Sequence, residues 1–353
     1  MSNRQEKKTS VVILNYNGRE YLKKFLPLLL KSTEGREDTE IIVADNASSD
    51  DSVAMLRMDF PTVRLIVLDR NYGFAGGYNK ALEQVDAVYY VLLNSDVEVD
   101  RDWLGPLTEY MDAHPDVAAC QPKICSYTNK SHFEYAGACG GYIDRYGYPF
   151  CRGRLFGTVE EDEGQYDTVA DLFWATGACL FIRRKDYVEA GGLDERFFAH
   201  MEEIDLCWRL RSRGRRIVCV PRSRVWHVGG GTLPAGNPRK VYLNFRNNLL
   251  LLYKNLPERT LRKTMIIRKM MDGLSAIQLL LKGDVKGLNS IWRAHRDFRR
   301  IRHQFDKDRS VNMEKSTGED IGLMYDGSIV WTYFVCRKRR FSDIRHMIRV
   351  GEE

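Results

Sequence analysis

The first 120 residues alternate between apolar runs typical of strands and segments with helical periodicity, and this alternation strongly constrains the fold. Strands are predicted over residues 11–15, 40–45, 63–68 and up to 94, and helices over 19–30, from 51, over 75–85 and over 103–114. Strands that alternate with helices of this length form right-handed βαβ units with parallel strands. The sequence therefore predicts an α/β fold, doubly wound around a mostly parallel sheet.

A polar, turn-forming segment follows each predicted strand. The four segments are LNYNG at 14–18, ADNASSDD at 44–51, DRNYGFAGGYN at 69–79 and LNSDVEVD at 93–100. Each one alone is also compatible with an ordinary loop that contains a turn or a helix cap. Because ligands bind outside the carboxyl ends of parallel strands, four such segments together favour a shared ligand site.

An acid follows the most apolar of these strands. Asp96 comes two residues after the run VYYVLLN, and Glu98 and Asp100 follow it. A carboxylate at the end of a buried strand needs a partner or a cation. A divalent cation held by few carboxylates and by ligand phosphates would fit here. A helix cap or a salt bridge is the alternative, and the residues alone leave both open.

The second half of the chain has a different pattern. Residues 125–167 are rich in Gly and Tyr, which predicts irregular strands and a mobile flap. Residues 171–184 predict a strand, residues 201–214 an amphipathic helix that ends at a glycine, and residues 216–231 a last strand with a Gly-rich loop. From residue 240 onwards the pattern is helical.

The charge is distributed unevenly along the chain. The net charge is +6, but residues 237–353 carry 25 Lys and Arg against 13 Asp and Glu. We therefore predict two parts, an α/β domain over 1–236 and a basic, mainly helical region over 237–353. A basic region indicates an anionic partner, here a membrane surface, whereas nucleic acid is disfavoured because no nucleic-acid-binding module is present. A helical subdomain with a solvated basic face is the alternative.

Several classes of protein are disfavoured by what the sequence lacks. The eight cysteines are scattered and never spaced C-x-x-C, which favours a reducing cytoplasm over a zinc site or a disulfide framework. The polar N-terminus does not have the pattern of a signal peptide, and no apolar run has the length of a membrane span. Neither G-x-G-x-x-G after the first strand nor a P-loop motif occurs, so a dehydrogenase and a P-loop enzyme are both disfavoured.

Seven segments together carry a family resemblance. In chain order they are VVILNYNG, IIVADNASSDDS, NYGFAGGYNKAL, YVLLNSDVEVD, WATGACLFIRR, GGLDERFFAHMEEIDLCWRLRSRG and VWHVGGGT. Because all seven segments occur, and in this order, the chain from about residue 11 to 252 resembles the inverting nucleotide-sugar glycosyltransferases of family 2, which have the GT-A fold. The resemblance is strongest to the rhamnosyltransferase-like branch of bacterial surface-polysaccharide enzymes. It implies a GT-A domain with a helical C-terminal extension.

The resemblance implies transfer of a sugar, with inversion, from a nucleoside diphosphate to an acceptor. The donor would be a dTDP-rhamnose-like sugar or a UDP-sugar, the acceptor a saccharide or a lipid-linked saccharide, and the cofactor Mg²⁺ or Mn²⁺. The enzyme would be cytoplasmic and peripheral on the inner face of the cell membrane. A noncatalytic nucleotide-sugar-binding partner of a polysaccharide assembly complex is the alternative. The oligomeric state is left open, with a homo-oligomer among the alternatives.

The resemblance also assigns roles to residues. Asp96 and His227 match metal-binding positions, and Asn94 replaces the first acid of the family's D-x-D motif. Glu203 matches the catalytic base, where the family has Asp, with Glu202 beside it, and which of the two acts as base is open. Arg246 is a further candidate for the diphosphate. The positions that match the nucleotide-sugar site are Asn15, Tyr16, Asn17, Asp45, Asn71, Gly76, Gly77, Asn79, Asn94, Ser95, Asp96, Trp174 and Gly177.

Overall fold

A computed structural model describes residues 7–229, 237–318 and 322–348, and within them the chain forms two sheets flanked by helices. The strands are β1 Lys7–Asn15, β2 Thr39–Asp45, β3 Arg64–Val67, β4 Ala87–Asn94, β5 Val97–Val99, β6 Val117–Ser126, β7 Gly141–Ile143, β8 Pro149–Cys151, β9 Arg154–Leu155, β10 Thr158–Val159, β11 Ala170–Asp171, β12 Cys179–Arg183 and β13 Arg216–His227. The helices are α1 Arg19–Ser32, α2 Ser52–Asp59, α3 Gly73–Leu82, α4 Leu104–Ala113, α5 Arg184–Ala190, α6 Glu202–Ser212, α7 Pro238–Asn255, α8 Glu258–Leu281, α9 Val285–Ile301, α10 Asp306–Glu314 and α11 Ile329–Phe334.

The large sheet has the predicted mostly parallel arrangement. Its strand order is β11-β13-β6-β12-β4-β1-β2-β3, and the short β5 pairs with β13. Strands β3, β2, β1 and β4 are parallel, as are β6 and β13, whereas β12 runs antiparallel between β4 and β6. The predicted α/β sheet is confirmed. Its parallel order is interrupted by β12 in the middle of the sheet, and β5 and β11 also pair antiparallel, both with β13.

Both faces of this sheet are buried, which explains why its strands are continuously apolar. In β1, Val11 and Ile13 belong to one hydrophobic cluster and Val12 to another, as expected for side chains that alternate between the two faces of a strand. Helix α1 contributes Leu22 to the first cluster, and α3 contributes Tyr78 to the second. Helices therefore cover both faces, so the sheet is doubly wound.

The Gly- and Tyr-rich segment forms a second sheet, of strands β7 to β10. The predicted irregular strands are present, but the predicted flap is wrong. Tyr142 and Phe150 are fully buried or nearly so, and the ring of Tyr142 lies 5.4 Å, between centroids, from that of Phe341 near the end of the described chain. The aromatic side chains that suggested a loop instead supply a packed core.

The region after residue 237 is mainly helical, as predicted. Residues 249–252 of α7 are buried in the same hydrophobic cluster as Val12 of the sheet, so this helix packs onto the α/β domain. The predicted division between residues 236 and 237 stays a prediction, because the segment 230–236, which also includes the end of VWHVGGGT, lies outside the described residues. Among the helices of the described ranges, none combines the length and the apolar character needed to cross a bilayer.

Candidate active site

Strand register brings the predicted polar segments to one edge of the sheet. Asn15 at the end of β1 lies opposite Asp45 at the end of β2, and Leu14 lies opposite Asn94 at the end of β4. The amide of Asn15 donates to Oδ1 of Asp45 at 3.0 Å and to Oγ of Ser48 at 3.2 Å. Three of the four predicted strand ends therefore meet in a single cleft.

The loops after β1 and β2 are joined by the side chain of Asn17. Its Oδ1 accepts from the backbone N–H of Ser49 at 2.7 Å, and its backbone adopts a left-handed φ of 53°. The neighbouring Tyr16 is 47% exposed at the rim. Oδ1 of Asn15 is buried without a hydrogen-bond partner among the described residues, so a ligand group that donates to it would remove an energetic cost.

Asn46, which the sequence analysis did not select, ties the third loop to this cleft. Its Nδ2 donates to Oδ1 of Asn71 at 3.1 Å and to the carbonyl of Gly73 at 2.9 Å. Its own Oδ1 accepts from the N–H of Tyr72 at 3.0 Å. Asn71 is thereby held beside the end of β2, as its predicted role requires.

Gly76, Gly77 and Asn79 face the protein rather than the cleft. A Cβ on Gly77 would lie 2.8 Å from the side chain of Leu14, and one on Gly76 would lie 3.1 Å from Cβ of Tyr72. These glycines let α3 pack closely on its neighbours. The amide of Asn79 donates to the carbonyl of Leu193 at 2.8 Å and accepts from the hydroxyl of Tyr187 at 2.6 Å, so its hydrogen-bonding groups are already occupied.

Asp96 and His227 lie side by side at the end of β4. The antiparallel pairing of β5 with β13 places His227 opposite Val97. Nε2 of His227 then lies 3.1 Å from Oδ1 of Asp96 and 3.5 Å from Nδ2 of Asn94. The side chain of Ser95 lies close to Gly18, the residue before α1. A Cβ atom added to Gly18 would be 3.2 Å from Oγ of Ser95.

A second carboxylate, that of Glu134, flanks the same imidazole. Its Oε1 lies 3.4 Å from Nδ1 of His227, and both side chains are almost fully buried. Burial acts against the charged imidazole, but the hydrogen bonds and charges of Asp96 and Glu134 outweigh it and raise the pKa of His227 to about 10. The position thus strongly favours positive charge. Glu134 lies in an irregular loop, and no sequence motif distinguishes it.

Asp96 and His227 carry oxygen and nitrogen atoms of the kind that bind divalent cations. They lie 3.1 Å apart, the distance of an ordinary hydrogen bond. Among the described residues there is no group of three or more metal-ligating side chains that could hold an ion. A cation here would have two protein ligands, and the phosphates of a ligand would complete its shell.

Glu202 and Glu203 begin α6. The Oε2 atom of each is buried without a hydrogen-bond partner among the described residues. Burial of its carboxyl group raises the pKa of Glu203 to about 7. Burial and the charge of Glu203 together raise the pKa of Glu202 well above its ordinary value. Of the two acids, Glu203 is therefore the one that ionises more readily.

The backbone immediately before these acids is strained. Phe198 has φ 68° and ψ −56°, and the N–H of Ala199 donates to the carbonyl of Phe197 at 2.8 Å, which defines a γ-turn of the rare, strained type. His200 and Met201 follow with φ of 69° and 73°. Non-glycine residues in such conformations cost about 1–3 kcal/mol each and persist only where the surroundings hold them.

Helices α3 and α7 hold this strained turn. The carbonyl of Phe198 accepts from the N–H of Phe74 at 2.8 Å. From α7, Nδ2 of the buried Asn247 lies 3.0, 2.9 and 2.7 Å from the carbonyl oxygens of Phe197, Ala199 and His200. Asn247 therefore fixes the segment that leads into Glu203, and no motif in the sequence marks it.

Arg246, the predicted diphosphate contact, also serves this turn. Its guanidinium donates to the carbonyl of Arg196 at 3.1 Å and to that of Phe197 at 3.0 Å. The Nε atom of Arg246 also donates to Oδ1 of Asn247 at 2.8 Å. Arg246 therefore helps to hold the backbone of this turn, and its hydrogen bonds within the described ranges do not include Asp96 or His227.

The segment 174–178 contacts both the strand that precedes Asp96 and the helix that begins at Glu202. The N–H of Asn94 donates to the carbonyl of Ala178 at 3.0 Å. In the same segment, a Cβ on Gly177 would lie 4.0 Å from Cβ of Glu203. The segment 174–178 therefore contacts both the end of β4, two residues before Asp96, and the start of α6 at Glu203. Trp174 lies in the core instead, 4% exposed, with its Nε1 donating to the carbonyl of Tyr142 at 2.9 Å.

The fold resembles that of solved glycosyltransferases with the GT-A architecture. The crystal structure of GalNAc-T7 with UDP, GalNAc and Mn²⁺ superposes with a TM-score of 0.56 at 16% identity, and the match covers 72% of this chain and 49% of that one. This chain thus spans about half the length of that structure. At 16% identity this similarity shows a shared fold, the GT-A fold, and nothing more.

Sequence comparison relates the chain to glycosyltransferases. Residues 10–159 match the family model "Glycosyl transferase family 2". It is 26% identical over 231 residues to N-acetylglucosaminyl-diphospho-decaprenol L-rhamnosyltransferase of Mycobacterium tuberculosis, covering 62% of this chain and 75% of that protein. It is also 26% identical over 227 residues to Rhamnosyltransferase WbbL of Escherichia coli, with coverage of 62% and 82%.

We expect Glu134→Gln to weaken Mn²⁺ binding by about 10- to 100-fold, the usual effect of removing the carboxylate that orients a ligating histidine. Isothermal titration calorimetry with Mn²⁺ would measure this. Glu98→Gln is the matched control, because Glu98 lies on β5 beside the pair but contacts Lys130 instead of His227. Equal Mn²⁺ affinity of the two variants would contradict the role of Glu134.

We expect Asn247→Ala to lower kcat by about 10²-fold, because misplacement of a catalytic group by about 1 Å has this effect. Asn248→Ala is the control, since Asn248 is equally buried on the same helix but bonds to Gly147 of the second sheet. Both variants should lose about 1–3 kcal/mol of unfolding free energy, measured by denaturant titration. A similar loss of kcat in both would show that Asn247 has only a structural role.

Proposed function

We propose that this protein is a metal-dependent, inverting glycosyltransferase. It would move a sugar from a nucleoside diphosphate to a hydroxyl of a saccharide or lipid-linked saccharide in the synthesis of bacterial surface polysaccharide. The observation that supports this best is that the segment 174–178 contacts both the strand end that precedes the Asp96–His227 pair and the helix start that carries Glu203. The names of the relatives make a dTDP-rhamnose-like sugar the first candidate donor, with a UDP-sugar as the second.

Asp96 and His227 would hold the cation through which the donor's diphosphate is bound. A divalent cation supplies Lewis-acid stabilisation of the charge that develops on the departing phosphate oxygens. Glu134 keeps the imidazole oriented through its contact with Nδ1. The amide of Asn94, near Nε2 of His227, takes the place of the acid that a D-x-D motif would supply.

Glu203 would accept the proton of the acceptor hydroxyl. A general base works best when its pKa lies near the operating pH, and burial places the pKa of Glu203 at about 7. The pKa of Glu202 is raised further, so Glu203 is the acid of this pair that ionises more readily. Attack from the side of Glu203, opposite the leaving diphosphate, would invert the configuration of the sugar carbon.

The nucleoside would lie along the ends of β1 and β2. There Asn15, Asn17, Asp45 and Asn71 present amide and carboxylate groups, and Oδ1 of Asn15 has no partner among the described residues. Tyr16 at the rim offers an exposed ring to a base. Gly177 lies between Phe74 and Glu203, where a Cβ would come within 3.1 Å of the Phe74 ring, so this position permits the close packing beside the base.

We expect the rate of sugar transfer to rise with pH through about 7 and then to level off, since the base is active only when ionised. Glu203→Gln should lower kcat by about 10²- to 10⁴-fold and remove this pH dependence. Initial rates with donor and acceptor between pH 5 and 9 would test both effects.

Glu202→Gln is the matched control for this experiment, because a neutral amide mimics a protonated acid in nearly the same shape. It should keep kcat within about 10-fold of the wild type. If Glu202→Gln abolishes transfer and Glu203→Gln does not, the roles of the two acids are reversed. Donor binding without transfer by the wild type, across a broad panel of acceptors, would instead support the noncatalytic alternative.

We expect dTDP-rhamnose with Mn²⁺ to raise the melting temperature more than either component alone, since a ligand that binds the native state stabilises it. Thermal-shift screens of dTDP- and UDP-sugars, with Mn²⁺ or with a chelator, would measure this. Asp96→Asn should abolish the joint effect, and Asp100→Asn, four residues along, should leave it unchanged. A chelator that changes neither binding nor transfer would remove the metal from the proposal.

A further inference from the structure

Helix α8 has an apolar stripe on the side that faces away from the protein. Its inner side buries Leu261, Met265, Arg268 and Asp272. On the opposite side, five residues spaced by three or four positions are exposed, namely Ile266 (54%), Met270 (66%), Leu274 (67%), Ile277 (54%) and Leu281 (83%). The outer face of a helix on a globular protein is normally polar, so a stripe of four turns indicates an interaction surface.

The stripe continues around the turn into α9. Leu280 is 55% exposed, and Val285 at the start of α9 is 64% exposed. Further along α9, Trp292 is 60% exposed. Exposed apolar side chains therefore lie on both sides of the turn at 282–284.

Basic side chains surround these apolar residues. Residues 258–301 contain 11 Lys and Arg against four Asp and Glu. Arg262 and Lys263 are exposed at the first turns of the stripe, and Lys282 and Lys286 are exposed at its end. Lys282 and Lys286 thus border the apolar tip directly.

The four acids of this hairpin are all engaged within the protein. Asp272 accepts from Nε of Arg268 at 2.8 Å and lies 3.0 Å from Nε2 of His295. Asp284 caps α9 by accepting from the N–H of Gly287 at 2.8 Å. The other two, Glu258 and Asp297, accept from Arg309 and Tyr242. The charge presented outward is therefore predominantly positive.

A surface of this composition needs a partner that is both apolar and anionic. A second copy of the same face would bring two strongly basic hairpins together, and like charges oppose such a contact. A bilayer with anionic headgroups supplies hydrocarbon for the stripe and negative charge for the surrounding Lys and Arg. At about 1.5 Å per residue, α8 is about 36 Å long, long enough to lie along the interface over its whole stripe.

We propose that the α8–α9 hairpin docks this protein on an anionic membrane surface, with the stripe and the hairpin tip inserted among the headgroups. This contact depends on neither donor nor metal, so it is independent of the proposed function. It concerns an outer surface and uses no residue of the cleft.

The full-length protein should sediment with vesicles of phosphatidylcholine that contain 30% phosphatidylglycerol and bind pure phosphatidylcholine at least tenfold more weakly. The variant Met270→Gln/Leu274→Gln/Leu281→Gln should reduce the partition coefficient at least tenfold. Met58→Gln/Val188→Gln is the control, because it removes two apolar side chains that are 79% and 62% exposed elsewhere. Circular dichroism would show that each variant is folded.

A second measurement needs no apolar substitution. Tryptophan emission should shift to the blue on addition of the anionic vesicles, and Trp292→Phe should abolish most of this shift. Absence of binding by the wild type, or equal binding by the stripe variant, would overturn the proposal. So would a wild-type dimer that ignores vesicles and becomes monomeric in the stripe variant, because the stripe would then be a contact between copies.

Discussion

The candidate site depends on one backbone constraint, the strained turn at residues 198–201. Three non-glycine residues adopt positive φ directly before Glu202 and Glu203, and the turn is held only because its carbonyls accept from α3 and α7. Helix α7 is anchored in turn to α6, where the buried Asp205 accepts from Lys254 and Asn255, each at 2.8 Å. The region after residue 237 therefore helps to position Glu202 and Glu203.

Electrostatics give the surroundings of His227 and of the two glutamates opposite character. Around His227, two carboxylates create a place for a positive charge and raise the pKa of the imidazole. Around Glu202 and Glu203, burial without compensating cations raises the pKa of both acids. The first place is thus suited to bind a cation with its phosphate, and the second to take up a proton. The same residue type, a buried carboxylate, acts differently because its neighbours differ.

Several residues that carry the resemblance have explanations in packing. Gly77 permits close contact of α3 with Leu14, and Trp174 lies in the core with its ring against Gly141. Asn79 is engaged with Leu193 and Tyr187. Their assignment to the nucleotide-sugar site stays a prediction, since the geometry already gives each a structural role. Conversely, Glu134, Asn46 and Asn247 make contacts that matter to the site, although the sequence analysis assigned a role to none of them.

The sequence by itself determined the parallel sheet, the helices that cover it and the edge where the polar strand ends meet. These follow from local periodicity and from the rule that parallel strands end together, so Asn15, Asp45 and Asp96 could be placed in advance. Only the tertiary structure decided which partners surround them. Glu134 reaches His227 across more than 90 residues, and Asn247 reaches Ala199 across 48, and no local pattern encodes contacts of that range. The pKa values of the acids and the outward direction of the α8 stripe likewise depend on what packs against each residue, which chain order does not reveal.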